Sequence, residues 1–180
     1  MPVLISLLRG INVGGKHMVP MADLRALYAS LGMTDVATLL QSGNVICRAP
    51  RALAPKRFED AIEDRFGCRV PVMLRTAAEM RDVVTRNPFP HDTDPAKLLV
   101  VFLAADPGEE ARRRAAAVAD PLPEDLRASG RELFIHFVAG LARPKLSTAA
   151  LDRALGTPGT GRNWNTVRKL AEISTALDTA

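Results

Sequence analysis

The stretch VATLLQSGNVICR, residues 36–48, reads as two strands folded back on each other. Val36 to Leu40 make the first arm, Gln41-Ser42-Gly43-Asn44 a tight turn, and Val45 to Arg48 the returning arm. A hairpin here imposes antiparallel pairing on the elements around it. Upstream, Val3 to Leu8 is an apolar run of strand length. Pro20 then opens a helix in which Leu24, Leu27, Tyr28 and Leu31 fall at helical spacing before Gly32 ends it. Downstream, Pro55 starts a helix with Phe58, Ala61, Ile62 and Phe66 on one face and Gly67 at its end, and Val70 to Arg75 is a strand. The order is β-α-β-β-α-β, the ferredoxin-like arrangement.

The pattern then recurs. Thr76-Ala77-Ala78-Glu79 is a capping box for a short helix that runs to Arg86 and is closed by Asn87-Pro88. Leu98 to Ala104 is a buried strand. Asp106-Pro107-Gly108-Glu109 has the spacing of a second capping box, opening a helix with Arg112, Arg113 and Arg114 outward that Asp120-Pro121-Leu122-Pro123 breaks. Ser129-Gly130 turns the chain into a strand from Glu132 to Val138, and a helix around Thr148 to Leu155 ends at Gly156. The expected fold class is α+β, a tandem duplication of ferredoxin-like βαββαβ units with Ser-Gly at the hairpin of each copy. The second copy lacks a clear last strand. The Gly-rich TPGTGRNWNT, residues 157–166, takes its place as a loop and leads into a C-terminal helix with Val167, Leu170, Ala171, Ser174 and Leu177 on one side. In domains, 1–75 is the first unit, 76–96 a bridging helix and linker, and 97–180 the second unit with the C-terminal helix; the whole can count as one compact domain.

Hydrophobic residues make up 47% of the 180 and charged residues 24%, the balance of a folded chain rather than a disordered one. No apolar run approaches the ~20 residues of a membrane helix. The opening MPVLISLLRG is too short before Arg9, and too poor in basic residues, for a secretion signal. Cys47 and Cys68 supply neither a disulfide framework nor metal-ligand spacing. The expectation is a cytoplasmic protein with no cofactor, a monomer by default. The net charge of +4 resides in residues 1–90, while residues 91–180 sum to zero. A basic half is compatible with phosphates or nucleic acid. There is no dense Lys/Arg cluster, so the charge equally serves solubility.

Gly10, Gly15 and Lys16 spell G-x-x-x-x-G-K between a strand and a helix. Three features oppose a nucleotide-hydrolase P-loop. His17 stands where Ser or Thr should meet magnesium, Val19-Pro20 delays the helix, and the hairpin order contradicts a parallel sheet. A looser anion cradle survives: Arg9, Gly10, Asn12, Gly14, Gly15 and Lys16 offer bare backbone, an amide and cations. The competing reading is a tight Gly14-Gly15 turn capped by Asn12. In the second loop, Arg162, Asn163, Trp164 and Asn165 precede the last helix, with Asn165 as its N-cap and a helix N-terminus able to hold an anion. The Trp164 ring reads as packing at the helix entrance or as a stacking surface. The expected site gathers loops 9–16 and 159–166, with Asn44 at the hairpin turn.

The remaining constellations carry less. His17, His91 and His136 are isolated, and no metal site is expected. The pairs Glu59-Asp60 and Glu63-Asp64 read as a solvated helix face offset by Lys56, Arg57 and Arg65. Ser6 and Ser42 have no visible base, so no catalytic residue is assigned.

Together, LLRGINVGGKHMVPMADL, QSGNV, NPF and GTGRNWNTV resemble the bacterial domain-of-unknown-function 1697 family, over nearly the whole chain. The resemblance implies a small bacterial protein of this length, with no established reaction or ligand. The family's loop usually has Asn where this chain has His17, so His17 is not expected to be essential. Its usual TARNWNT is here TGRNWNT, with Gly161 for Ala. The functional expectation is binding of a phosphate-bearing or other anionic small ligand through Gly/Asn/Arg/Lys loops. The alternatives are an RNA-binding protein using Phe134 and His136 on the sheet, or an enzyme of unknown reaction.

Overall fold

The computed structural model describes residues 1–141 and 145–180. The protein is α+β, and its chain divides into two units: Met1–Asp82 with Leu170–Ala180, and Val83–Lys169. This differs from a division by chain order, because residues 170–180 count with the first unit.

The first unit contains β1 (Val3–Leu8), α1 (Met21–Ser30), β2 (Thr34–Leu39), β3 (Asn44–Arg48), α2 (Pro55–Phe66) and β4 (Val72–Thr76), and α3 (Ala77–Thr85) begins in it. Its sheet is antiparallel throughout, in the order β2-β3-β1-β4. The 36–48 hairpin forms with its turn one residue earlier than the sequence suggests, at residues 40–43, Asn44 already pairing with Leu39, and with an irregular register near Asp35, whose φ is +52°. Alternation sends Leu4, Ser6 and Leu8 of β1 to one face and Val3, Ile5 and Leu7 to the other. On the first face, Leu8, Leu24, Tyr28, Val45, Cys47, Phe58 and Ile62 pack as one cluster beneath α1 and α2. The rings of Tyr28 and Phe58 stack at 4.8 Å, and the Tyr28 hydroxyl lies 2.5 Å from Ser6 Oγ. Burial pushes the Tyr28 phenol well above its ordinary pKa.

The helix ends follow the sequence signals. Gly67 closes α2 in the left-handed conformation, φ +68°. Thr76 and Glu79 form a reciprocal box: Thr76 N–H donates to Glu79 Oε2 (2.7 Å) and Glu79 N–H to Thr76 Oγ1 (3.2 Å). Arg48 Nη2 donates to Leu177 O (2.5 Å) and Arg81 pairs with Asp178 (3.3 Å), tying residues 170–180 to this unit.

The second unit contains β5 (Leu98–Leu103), α4 (Gly108–Ala119), β6 (Asp125–Ser129), β7 (Glu132–His136), α5 (Thr148–Leu155) and β8 (Gly159–Asn163). α6 (Trp164–Thr179) starts in it. Its antiparallel sheet runs β6-β7-β5-β8, and Leu103, Ala115, Leu133, Ile135 and Leu151 are among its core.

Two expectations are corrected here. The supposed Gly-rich loop is a strand, β8, paired antiparallel with β5 from Leu99↔Asn163 to Leu103↔Gly159. Glycine lowers strand propensity, but ladder bonds use only the backbone, and Thr160 and Arg162 still alternate to a buried face. The second capping box does not form. Asp106 Oδ1 accepts from the near Gly108 N–H (2.8 Å) and from Arg112 instead, because the helix starts at Gly108 behind Pro107. No helix among the described residues is long and apolar enough to cross a membrane.

Candidate functional site

After β1 the chain makes a miniature hairpin. Lys16 N–H donates to Val13 O and Asn12 N–H to His17 O, both at 3.1 Å. Gly14 (φ +58°) and Gly15 (φ +72°) form the turn, two successive left-handed residues that glycine adopts without steric cost. Asn12 braces the base: Nδ2 donates to Val19 O (3.0 Å) and Gln41 O (2.8 Å), and Oδ1 accepts from Val19 N–H (2.8 Å). Ile11 roots the loop in the core. The tip is exposed from Val13 to Met18, with Lys16 and His17 on it. The Gly14 and Gly15 amides have no hydrogen-bond partner among the described residues. The next helix starts only at Met21, and β1 lies between antiparallel neighbours, so neither half of a P-loop is present.

Asn44 is fully buried and donates to Leu39 O (2.7 Å) and Ser42 Oγ (3.1 Å), holding the hairpin turn. The RNWN segment is likewise built into the fold. Arg162 is buried on β8, and its Nη1 donates to Thr160 Oγ1 (2.7 Å) and Gly161 O (2.9 Å). Burial lowers its pKa to about 10. The cap of α6 is Asn163 rather than Asn165: Asn163 Oδ1 accepts from Thr166 N–H and Thr166 Oγ1, both at 2.9 Å. Asn165, one position inside the helix, accepts from Arg168 (2.9 Å). Trp164 is 8% exposed. Arg9 to Lys16 belong to the first unit and Arg162 to Asn165 to the second.

The glycines of β8 have a spatial role. By register, Gly159 and Gly161 stand opposite Leu103 and Val101, as Val72 and Leu74 of β4 stand opposite Leu8 and Ser6. A Cβ on Gly159 would lie 2.7 Å from Val101. Beneath them, walled by Leu99, Ile135, Leu151 and Leu155, is an apolar cavity of about 90 Å³ reached by Thr148 and Asp152. In the first unit a larger apolar cleft, about 260 Å³, lies between the start of β1 and the end of β4, with Arg51, Thr76 and Glu79 among its lining. A third groove, about 250 Å³, follows the end of α4 and gathers Asp120, Glu124 and Asp125. No motif announced it, because those carboxylates flank a Pro-rich helix break that reads only as punctuation.

The other candidates settle into structure. Ser6 is buried against Tyr28. Glu59 Oε1 accepts from Val72 N–H (2.9 Å), Asp60 pairs with Lys56 and Glu63 with Arg69. His136 tilts against Phe89 of the NPF segment, ring centroids 5.7 Å apart, and Arg127 Cζ lies over the Phe89 ring, 4.6 Å from its centroid. Among the described residues no three His, Cys, Asp or Glu side chains are grouped to hold a metal ion.

Residues 1–134 match the model of a family described as "Protein of unknown function (DUF1697)", and the chain belongs to that family. Among solved structures it is similar to the conserved bacterial protein SP0830 from Streptococcus pneumoniae. The TM-score is 0.65 and the identity 21%, over 96% of this chain and 98% of that one. At that identity the likeness is one of fold. No curated protein matches.

Proposed function

We propose that the protein is a binding module for a small anionic, phosphate-bearing ligand, and that the Arg9–Lys16 hairpin is its recognition element. The carrying observation is the contrast within that loop. Its base is fixed by three hydrogen bonds of the Asn12 side chain, two donated and one accepted, while its tip offers the Gly14 and Gly15 amides beside the Lys16 ammonium, with no side chain to obstruct an approaching oxyanion. A pre-ordered base lowers the entropy lost when a ligand binds. The proposal keeps Arg9, Gly10, Gly14, Gly15 and Lys16 as ligand contacts. It gives Asn12, Asn44, Arg162, Asn163, Trp164 and Asn165 to the scaffold, since each is buried or engaged within the fold.

The same reading takes the two units as ferredoxin-like copies derived by duplication, supported by the matching strand orders and registers. It places the protein in the cytoplasm, in keeping with two free cysteines. Thermal-shift titration with pyrophosphate and nucleoside diphosphates at low salt tests it. Saturable stabilisation should appear and be lost in Lys16→Ala. Equal shifts in wild type and Lys16→Ala would remove the hairpin from the reading. An affinity for single-stranded RNA that falls steeply with salt, with no response to pyrophosphate, would favour a nucleic-acid partner instead.

A further inference from the structure

We propose that the Arg9–Lys16 hairpin and the neighbouring turn at residues 40–43 make a peripheral contact with an anionic lipid bilayer, so that the phosphate taken is that of a lipid headgroup. This rests on the hairpin being a phosphate-binding element and names the source of the phosphate. Among the described residues, five large hydrophobic side chains are exposed: Met1, Val13, Met18, Leu40 and Val138. Three of them gather at one tip. Asn12 Nδ2 donates to Val19 O and Gln41 O, and Asn12 Oδ1 accepts from Val19 N–H. Val13 follows Asn12, Met18 precedes Val19 and Leu40 precedes Gln41. One side-chain amide therefore holds together the backbone segments that carry Val13 (66% exposed), Met18 (65%) and Leu40 (58%).

Leu40 stands out further. Among the described residues, four other than glycine have a positive φ, and the remaining three are Asn12, His17 and Asp35, types that tolerate left-handed backbone. Leu40 adopts it at +61° with its side chain in water, so neither backbone preference nor core packing accounts for a leucine there. The charge at the tip has one sign. Segments 9–22 and 36–48 hold Arg9, Lys16 and Arg48 and no Asp or Glu. Arg48 is paired with Asp35 at 3.2 Å, whereas Lys16 lies exposed on the tip.

The two chemistries together select the partner. A free phosphate answers Lys16 and the Gly14 and Gly15 amides but leaves Val13, Met18 and Leu40 in water. The edge of an anionic bilayer answers both, because its phosphates lie directly above its acyl chains. Exposed apolar side chains grouped beside cations mark such contact surfaces. The contact is peripheral, since no helix among the described residues is long and apolar enough to span a membrane.

Vesicle flotation tests this, with phosphatidylcholine alone and with phosphatidylcholine and phosphatidylglycerol in equal parts, at low and moderate salt. Wild type should float with the anionic vesicles only, and less as salt rises. Each of Val13→Thr, Met18→Gln and Leu40→Asn should weaken association roughly tenfold, and the triple variant should remain in solution. These side chains are exposed, so the triple variant should unfold at the temperature of wild type and, keeping Gly14, Gly15 and Lys16, still respond to pyrophosphate. A wild type that responds to pyrophosphate but ignores anionic vesicles overturns the membrane contact and leaves the small-ligand reading standing. Vesicle association lost in the triple variant, without any pyrophosphate response, supports the membrane contact and removes the free ligand. Equal flotation of wild type and triple variant overturns the proposal. So does a wild-type dimer in sedimentation equilibrium that the triple variant loses, with no flotation, because the tip would then meet a second copy of the chain.

Discussion

Arg75 and Arg162 occupy the same register position in the two sheets. Arg75 stands opposite Ile5 at the third residue of β1, and Arg162 opposite Val100 at the third residue of β5. Both are buried, and each donates Nη1 to the carbonyl just before it, Leu74 O at 2.8 Å and Gly161 O at 2.9 Å. Each is followed at once by the residue that caps the next helix, Thr76 for α3 and Asn163 for α6. Two buried guanidinium groups in equivalent places are parts of the scaffold. Arg162→Ala should therefore lower the unfolding free energy by about 2–4 kcal/mol in urea titration, since it strands buried acceptors such as Thr160 Oγ1. Arg162→Lys should recover little of that, because an ammonium cannot reproduce the planar fork. A ligand-contact residue on the surface would instead leave stability within about 0.5 kcal/mol of wild type.

Two glycines with similar backbone should respond differently to alanine. Gly43 (φ +78°) would place a Cβ 2.7 Å from Ile11 Cδ1 and 2.8 Å from Leu8 Cβ, in the core where the 36–48 hairpin turn meets the root of the Arg9–Lys16 loop. Gly14 (φ +58°) would meet nothing within 4 Å. Gly14→Ala should cost only the strain of the left-handed conformation, about 1 kcal/mol. Gly43→Ala adds overpacking to that and should cost about 2–4 kcal/mol in the same urea assay. Equal losses would mean that the core around Ile11 yields freely.

The contrast between β3 and β8 shows what could be read from sequence. The 36–48 hairpin announces itself because Val45, Ile46 and Cys47 are apolar and Gly43 punctuates the turn. β8 hides because Gly159 and Gly161 carry no side chain to show a period of two, although its partner β5 supplies the pairing. The hairpin at Gly14-Gly15 was legible as a turn. That Asn12 spends its amide on Val19 and Gln41 was not, since Gln41 is distant in sequence.

The cap of the last helix can be tested directly. Asn163→Ala removes the acceptor for Thr166 N–H and Thr166 Oγ1 and should cost about 1 kcal/mol, with fraying of the first turn visible in amide exchange. Asn165→Ala loses only an exposed contact to Arg168 and should stay within about 0.5 kcal/mol of wild type. The reverse order of losses would return the capping role to Asn165.

Alkaline pH should unfold the protein through its buried thiol and phenol. Burial holds the Cys47 thiol up at about 12, against an ordinary value of 9.0. The native state keeps a proton that the unfolded chain surrenders, so this contribution is intact below pH 9 and is lost as pH rises from there toward 12. Tyr28, also raised, acts in the same direction above its ordinary value of 10.0. Arg162 opposes them. Its pKa is lowered to about 10 from 12.5, so the native state loses that proton first and gains stability as pH rises between those values. The interval from pH 9 to 10 therefore isolates the thiols, and the urea-derived stability should fall there by at most about 1.4 kcal/mol per thiol. The decline should be shallower in Cys47→Ala. Cys68, half-buried and also raised by burial, contributes in the same sense. A thiol-reactive dye separates the two: in the native protein Cys68 should label first, and Cys47 only at the rate of unfolding. Simultaneous labelling of both would show that the α1–α2 core opens without global unfolding, and would undo the assignment of the alkaline transition to Cys47.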